Sequence, residues 1–139
     1  MTLCSCPLAI IAVLAVSATL IASTRAVAED AAGPRLKVVP LDPGDRPYFV
    51  LLDGPPETAS MRSGLVTLAP GRSIGRHDTG TNEEMLVPLE GEGELRIDGH
   101  PPVVIRPGLI TYAPAHTAHD VTNTGTRPLR YIFIVARAE

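Results

Sequence analysis

His77-Asp-Thr-Gly-Thr-Asn-Glu-Glu84-Met-Leu-Val-Pro-Leu-Glu-Gly91, residues 77–91, decides how the chain folds. A histidine sits just past a Pro70-Gly71 turn, a carboxylate follows at Glu84, and a Gly-rich hairpin closes the stretch. Side chains alternate along a strand, so His77 and Thr79 face one way and Asp78 the other. The chain then turns through Gly80-Thr81-Asn82, and Glu84 starts the returning strand beside His77. Further on, Pro114-Ala-His116-Thr-Ala-His119 supplies more imidazole from a second hairpin. Two imidazoles and one carboxylate with positions left open form the facial arrangement of non-haem iron(II) sites, and such a set also suits Mn, Ni or Zn.

Outward from that stretch, short extended segments alternate with turn chemistry. The pattern predicts strands over residues 36–41, 48–52, 61–68, 72–79, 84–90, 92–98, 103–105, 109–113, 119–123 and 129–136. Between 92 and 98, Glu92, Glu94, Arg96 and Asp98 share one face while Gly93, Leu95 and Ile97 share the other, the mark of a half-buried strand. Asp98-Gly99 is a hairpin signal. Residues 129–136 (LRYIFIVA) are nearly all apolar, which predicts a central strand. Pro88 cannot donate to a ladder, so its strand is expected to lie at an edge or carry a bulge. No helical periodicity survives past residue 28, and regularly spaced short strands mean an all-β sandwich or barrel.

Composition narrows the function. Net charge is −3 and Lys and Arg never cluster, which argues against nucleic acid, a partner that demands concentrated cations. Cys4 and Cys6 lie at the extreme N-terminus, followed by an apolar run and Ala26-Val27-Ala28, a small-x-small cleavage pattern. Residues 1–28 therefore read as a signal peptide, residues 29–58 as an N-terminal segment with edge strands, and residues 59–136 as the main domain. The apolar core is short for a membrane span, which favours cleavage over an uncleaved anchor. The expected product is secreted or periplasmic, free of the membrane after cleavage, and without cysteine. The acidic Glu90-Gly-Glu-Gly-Glu94 run would repel phosphate, and no nucleophile elbow is present.

The region resembles the cupin family. The family's first motif, G-x5-H-x-H-x3–4-E-x6-G, is met in spacing by Gly71, His77, Thr79, Glu84 and Gly91. Its second, G-x5-P-x-G-x2-H-x3-N, is met by Gly108, Pro114, His116, His119 and Asn123. The resemblance covers about residues 59–136 and implies a single-domain jelly-roll with a divalent metal ion (Fe, Mn, Ni or Zn). Two departures matter. Thr79 replaces the second motif histidine, so the implied ligand set becomes His77, Glu84 and His119. His116 replaces a glycine, and either occupies a turn at positive φ or points inward as a fourth ligand. Thr79, His116, Tyr112 and Met85 are the expected surrounding pocket. The resemblance further implies a metal-dependent enzyme of dioxygenase, decarboxylase, lyase or isomerase type acting on a small oxygen-rich substrate. The alternative is a non-catalytic cup for a sugar or organic acid. Dimerisation through sheet edges is a family implication as well.

Overall fold

The computed structural model describes residues 33–138. The expected signal peptide and its cleavage site lie outside these residues. Eight strands form, and no helix forms among the described residues. They are β1 (Tyr48–Asp53), β2 (Arg62–Leu68), β3 (Asn82–Glu90), β4 (Gly93–Ile97), β5 (Val103–Ile105), β6 (Thr111–Ala113), β7 (His119–Thr122) and β8 (Leu129–Arg137). Two antiparallel sheets result, in the orders β1-β2-β8-β3-β6 and β5-β4-β7. This is the all-β jelly-roll expected from the strand spacing.

Strand parity builds the core. On β8, Leu129, Tyr131 and Phe133 point inward. They meet Leu68 and Val66 from β2, Leu86 from β3, Leu95 from β4, Ile105 from β5 and Val121 from β7. The apolar strand β8 is central in its sheet, between β2 and β3, as its composition predicts. β4 keeps the alternation read from the sequence, with Gly93 and Leu95 buried and Arg96 exposed. Of the two expectations for Pro88 the bulge holds: its strand β3 lies between β8 and β6 and is not an edge. β6 pairs with β3 only over residues 84–86, so Pro88 has no neighbour on that side, and a bulge follows between Pro88 and Glu90.

Three segments depart from the sequence reading. Residues 36–41 form no strand: Leu36 and Val38 are almost fully exposed. The segment is tied down instead by Lys37, whose Nζ donates to the Leu51 carbonyl and pairs with Glu57. A strand needs a ladder partner, and apolar content alone does not supply one. Residues 109–110 also stay out of β6, leaving Ile110 exposed. Continuing that ladder would set Leu109 opposite Pro88, which has no N–H to offer. Residues 72–79 are extended without being a continuous strand, bridging to β7 only at Ser73 and His77. Between those points Gly75 takes a φ of 94°, its N–H held by the Asp120 carboxylate at 3.1 Å.

Asn123 closes the base of this arrangement. It is fully buried, donates from Nδ2 to the Leu68 and Arg127 carbonyls at 2.8 Å each, and accepts from the Gly125 N–H at 2.9 Å. The side chain thus ties β2 to the turn that leads into β8. Truncation strands those backbone groups, so Asn123→Ala is expected to cost about 3 kcal/mol at roughly 1 kcal/mol per hydrogen bond. Urea unfolding of the variant beside the wild type reads this directly.

Candidate metal centre

The site forms where the two sheets meet at one end of the sandwich. Segment 71–77 runs antiparallel to β7 through hydrogen bonds from Gly71 N–H to the Asn123 carbonyl and from Ile74 N–H to the Val121 carbonyl. It ends on a reciprocal pair in which the N–H of His77 and of His119 each donate to the other's carbonyl, at 2.9 and 2.8 Å. Directly paired residues project to the same side. The two imidazoles therefore sit side by side, with ring centroids 4.5 Å apart. Glu84 comes from the opposite sheet. It is inward on β3, level with Val135 of β8 and Ala113 of β6.

Glu84 is buried to 6% exposure, His119 to 2%, and His77 is open to solvent. His119 Nε2 lies 3.1 Å from Glu84 Oε2, and His77 Nε2 lies 3.8 Å from the same oxygen. All three groups place a donor atom within 4.8 Å of the others. Both rings are also fixed from behind. His77 Nδ1 is 2.8 Å from the Gly75 carbonyl, and His119 Nδ1 is 3.0 Å from the Thr117 carbonyl. A carbonyl only accepts, so each Nδ1 carries the proton and each Nε2 presents a lone pair. Two lone pairs thus aim at a buried carboxylate, which is an arrangement of acceptors facing acceptors. A cation satisfies it, and the backbone bond behind each ring is what orients metal-binding histidines. At bonds of about 2.1 Å, adjacent ligand atoms lie about 3 Å apart, so the 3.1 Å pair already meets that span and the 3.8 Å pair has to close by roughly 1 Å. The residues fit a divalent metal.

Without a cation, a proton takes part of that role. The Glu84 carboxylate, accepting from a protonated His119 Nε2, holds the His119 pKa above the ordinary imidazole value, against the opposing effect of burial.

An inner cavity of about 130 Å³ opens beside the cluster, lined among others by Tyr48, Arg62, His77, Thr79, Glu84 and Tyr131. An outer cavity of about 410 Å³ shares Arg62, His77, Thr79 and Val135 with it and forms the mouth. Burial, reinforced by the Glu84 carboxylate, pushes the Tyr131 phenol well above its usual value, so it remains a hydrogen-bond donor.

The expected pocket residues divide. Thr79 lines the cavity, but its hydroxyl already donates to the Asn82 carbonyl at 2.7 Å and serves the turn. His116 takes the turn rather than the ligand position: its φ is 58°, it is exposed, and its N–H donates to the Gly80 carbonyl at 2.7 Å. Tyr112 and Met85 do not reach the cavity. They pair with each other across β6 and β3, one step along from the inward pair Ala113 and Glu84, so parity turns both outward. The Tyr112 hydroxyl donates instead to Glu83 at 2.9 Å on the surface. Sequence reading missed Tyr48, Arg62 and Tyr131. The signal for Tyr131 was present, since it shares parity with Leu129 and Phe133, but a continuous apolar run hides which face is inward.

Fold and site together define a small jelly-roll protein with a His-Glu-His cluster in its cup. The Cupin domain family matches residues 64–135, and the chain belongs to that family. Solved structures agree on the fold. The chain superposes on a Bacillus halodurans protein with a TM-score of 0.64 at 24% identity, over 77% of this chain and 85% of that one. A Cupin 2 conserved barrel domain protein from Salinispora arenicola gives 0.62 at 24% identity, over 75% and 91%. The Cnp3 cupin domain of Schizosaccharomyces pombe gives 0.59 at 16% identity, over 66% of this chain; the alignment spans 64% of that domain. No curated protein matches the chain in sequence.

The raised pKa of His119 has a consequence for stability. A histidine whose folded pKa exceeds its unfolded value stabilises the fold fully below about 6.5 and loses that contribution as pH rises through the folded value. The urea midpoint of EDTA-treated protein is expected to fall as pH rises from about 6.5 toward 9. Saturating zinc is expected to oppose that fall, because metal binding requires the neutral ring. A midpoint that rises with pH in the metal-free protein would contradict the assignment.

Proposed function

We propose that the chain is an exported cupin that holds one divalent metal through His77 Nε2, Glu84 and His119 Nε2 and works as a metal-dependent enzyme on a small oxygen-rich substrate. The observation carrying this reading is the pair of backbone-anchored imidazoles whose lone pairs face one buried carboxylate. A bound metal would act there as a Lewis acid or a redox centre, and three protein ligands leave positions for a substrate. The chain's own residues do the rest. Gly75 and Thr117 hold the rings in place through their carbonyls. Ile74, Val121 and Phe133 give the cavity apolar walls that limit water. The Tyr131 hydroxyl offers a proton to a bound oxygen atom. The small inner cavity, about 130 Å³, supports a compact substrate.

Elemental analysis after loading with Fe(II), Mn, Ni or Zn in turn is expected to find one metal per wild-type chain. Glu84→Gln and His119→Ala are each expected to weaken uptake by at least about 100-fold, beyond the range typical for loss of a ligand's supporting partner. His77→Ala is expected to weaken it less, since that ring is the most exposed of the three. Absence of stoichiometric metal under every loading condition would sink the reading. Export is tested separately: N-terminal sequencing of protein recovered outside the cytoplasm is expected to begin at Glu29, one residue past Ala28.

A further inference from the structure

The cavity holds polar groups that the metal centre does not use. Arg62 pairs with Val135 across β2 and β8, and Glu84 pairs with Val135 across β3 and β8. The three residues therefore form one inward row over three strands. With strands about 4.8 Å apart, Arg62 stands about 10 Å from Glu84 along that row, on the far side of the cup. Arg62 lines both the inner and the outer cavity. Among the described residues it makes no hydrogen bond. Its one ion pair joins Nε to Asp53 at 3.8 Å, with the two side chains 51% and 76% exposed. A pair that long and that open to solvent contributes little. Tyr131 is the second such group. As a residue it is 2% exposed and lines the inner cavity, and no hydrogen bond joins its hydroxyl to another described residue. A hydroxyl with no protein partner, on a residue that lines a cavity, is available to a ligand held there.

We infer that the substrate is a small carboxylate whose one end lies on the Arg62 guanidinium and the Tyr131 hydroxyl while its other oxygens face the His77–Glu84–His119 cluster. A planar guanidinium matches a carboxylate with two parallel hydrogen bonds, and no neutral sugar hydroxyl uses that fork as well. The inner cavity of about 130 Å³ shares Arg62, His77, Thr79 and Val135 with the outer one of about 410 Å³, which leaves room for a short di-, oxo- or hydroxycarboxylate. This inference rests on the metal reading above for the position of the second end, and on Arg62 and Tyr131 alone for the first.

The test is calorimetric titration of the zinc-loaded full chain with malonate, oxalate and succinate, with zinc content measured separately. Neutral acetohydroxamic acid serves as a probe of the metal alone. Arg62→Gln is expected to weaken malonate at least tenfold while leaving zinc content and acetohydroxamic acid binding as in the wild type. Arg62→Lys is expected to recover part of the loss, and Tyr131→Phe to weaken malonate severalfold. Equal malonate affinity in wild type and Arg62→Gln overturns the inference and leaves the metal reading standing. If zinc does not load, the metal reading fails, and the same titration on metal-free protein decides the anchor. Binding that depends on Arg62 supports it, and no uptake of any of the three acids by the wild type overturns it.

Discussion

One buried carboxylate governs this end of the molecule. Glu84 keeps 6% of its surface in water, at a depth where an unpaired charge costs several kcal/mol. Its partners within hydrogen-bonding or ion-pair distance are the Nε2 atoms of two histidines. A neutral imidazole presenting a lone pair cannot satisfy a carboxylate, so the fold tolerates Glu84 only with a proton or a metal ion between them. The rest of the cup serves that requirement. β3 sets the carboxylate inward by parity, and the opposite sheet delivers both rings.

The delivery depends on backbone, not on side-chain packing. The His77 and His119 main chains exchange two hydrogen bonds, so neither ring can shift without breaking a ladder. The irregularity at Gly75 is what lets segment 71–77 reach this register. Its positive φ interrupts the pairing after Ile74, and Asp120 and Ser73 take up the freed N–H. The Gly75 carbonyl then turns back to fix His77 Nδ1. A local defect in the strand is thus part of how the site is held.

Much of this was legible in the residues. The spacing from Gly71 through Gly91 and from Gly108 through Asn123 brought His77, Glu84 and His119 together before any coordinates did. The alternation of residues 92–98 and the apolar run of 129–136 located β4 and β8. What escaped reading was parity where no anchor fixed it. Met85 and Tyr112 looked like pocket residues because they neighbour Glu84 and the second motif in sequence. Once Glu84 is inward, Met85 must point out, and Tyr112, paired with it, must follow. Arg62 and Tyr131 escaped for the opposite reason. They lie far from the motifs in sequence and join the site only through the registers β2–β8 and β3–β8, which depend on long-range pairing. Residues 36–41 carry strand-like composition but form no ladder, and Lys37 holds them through its bonds to the Leu51 carbonyl and Glu57.

The replacement at Thr79 draws these strands of argument together. In the family pattern a second imidazole would approach the metal from that position, on the side facing the cavity. Here the hydroxyl bonds to the Asn82 carbonyl, and the cavity reaches the cluster past a small side chain. Losing that ligand removes one neutral donor and leaves the charge of Glu84 as the largest electrostatic contribution to holding a cation. It also leaves the cluster open on that side toward the cavity that Arg62 and Tyr131 line. With a cation held there as proposed, a cluster short of one protein ligand and a cavity lined by Arg62 are suited to an anionic substrate that supplies the missing donors. The departure from the family motif and the weakly paired Arg62 on the cavity wall are then accounted for by one proposed ligand.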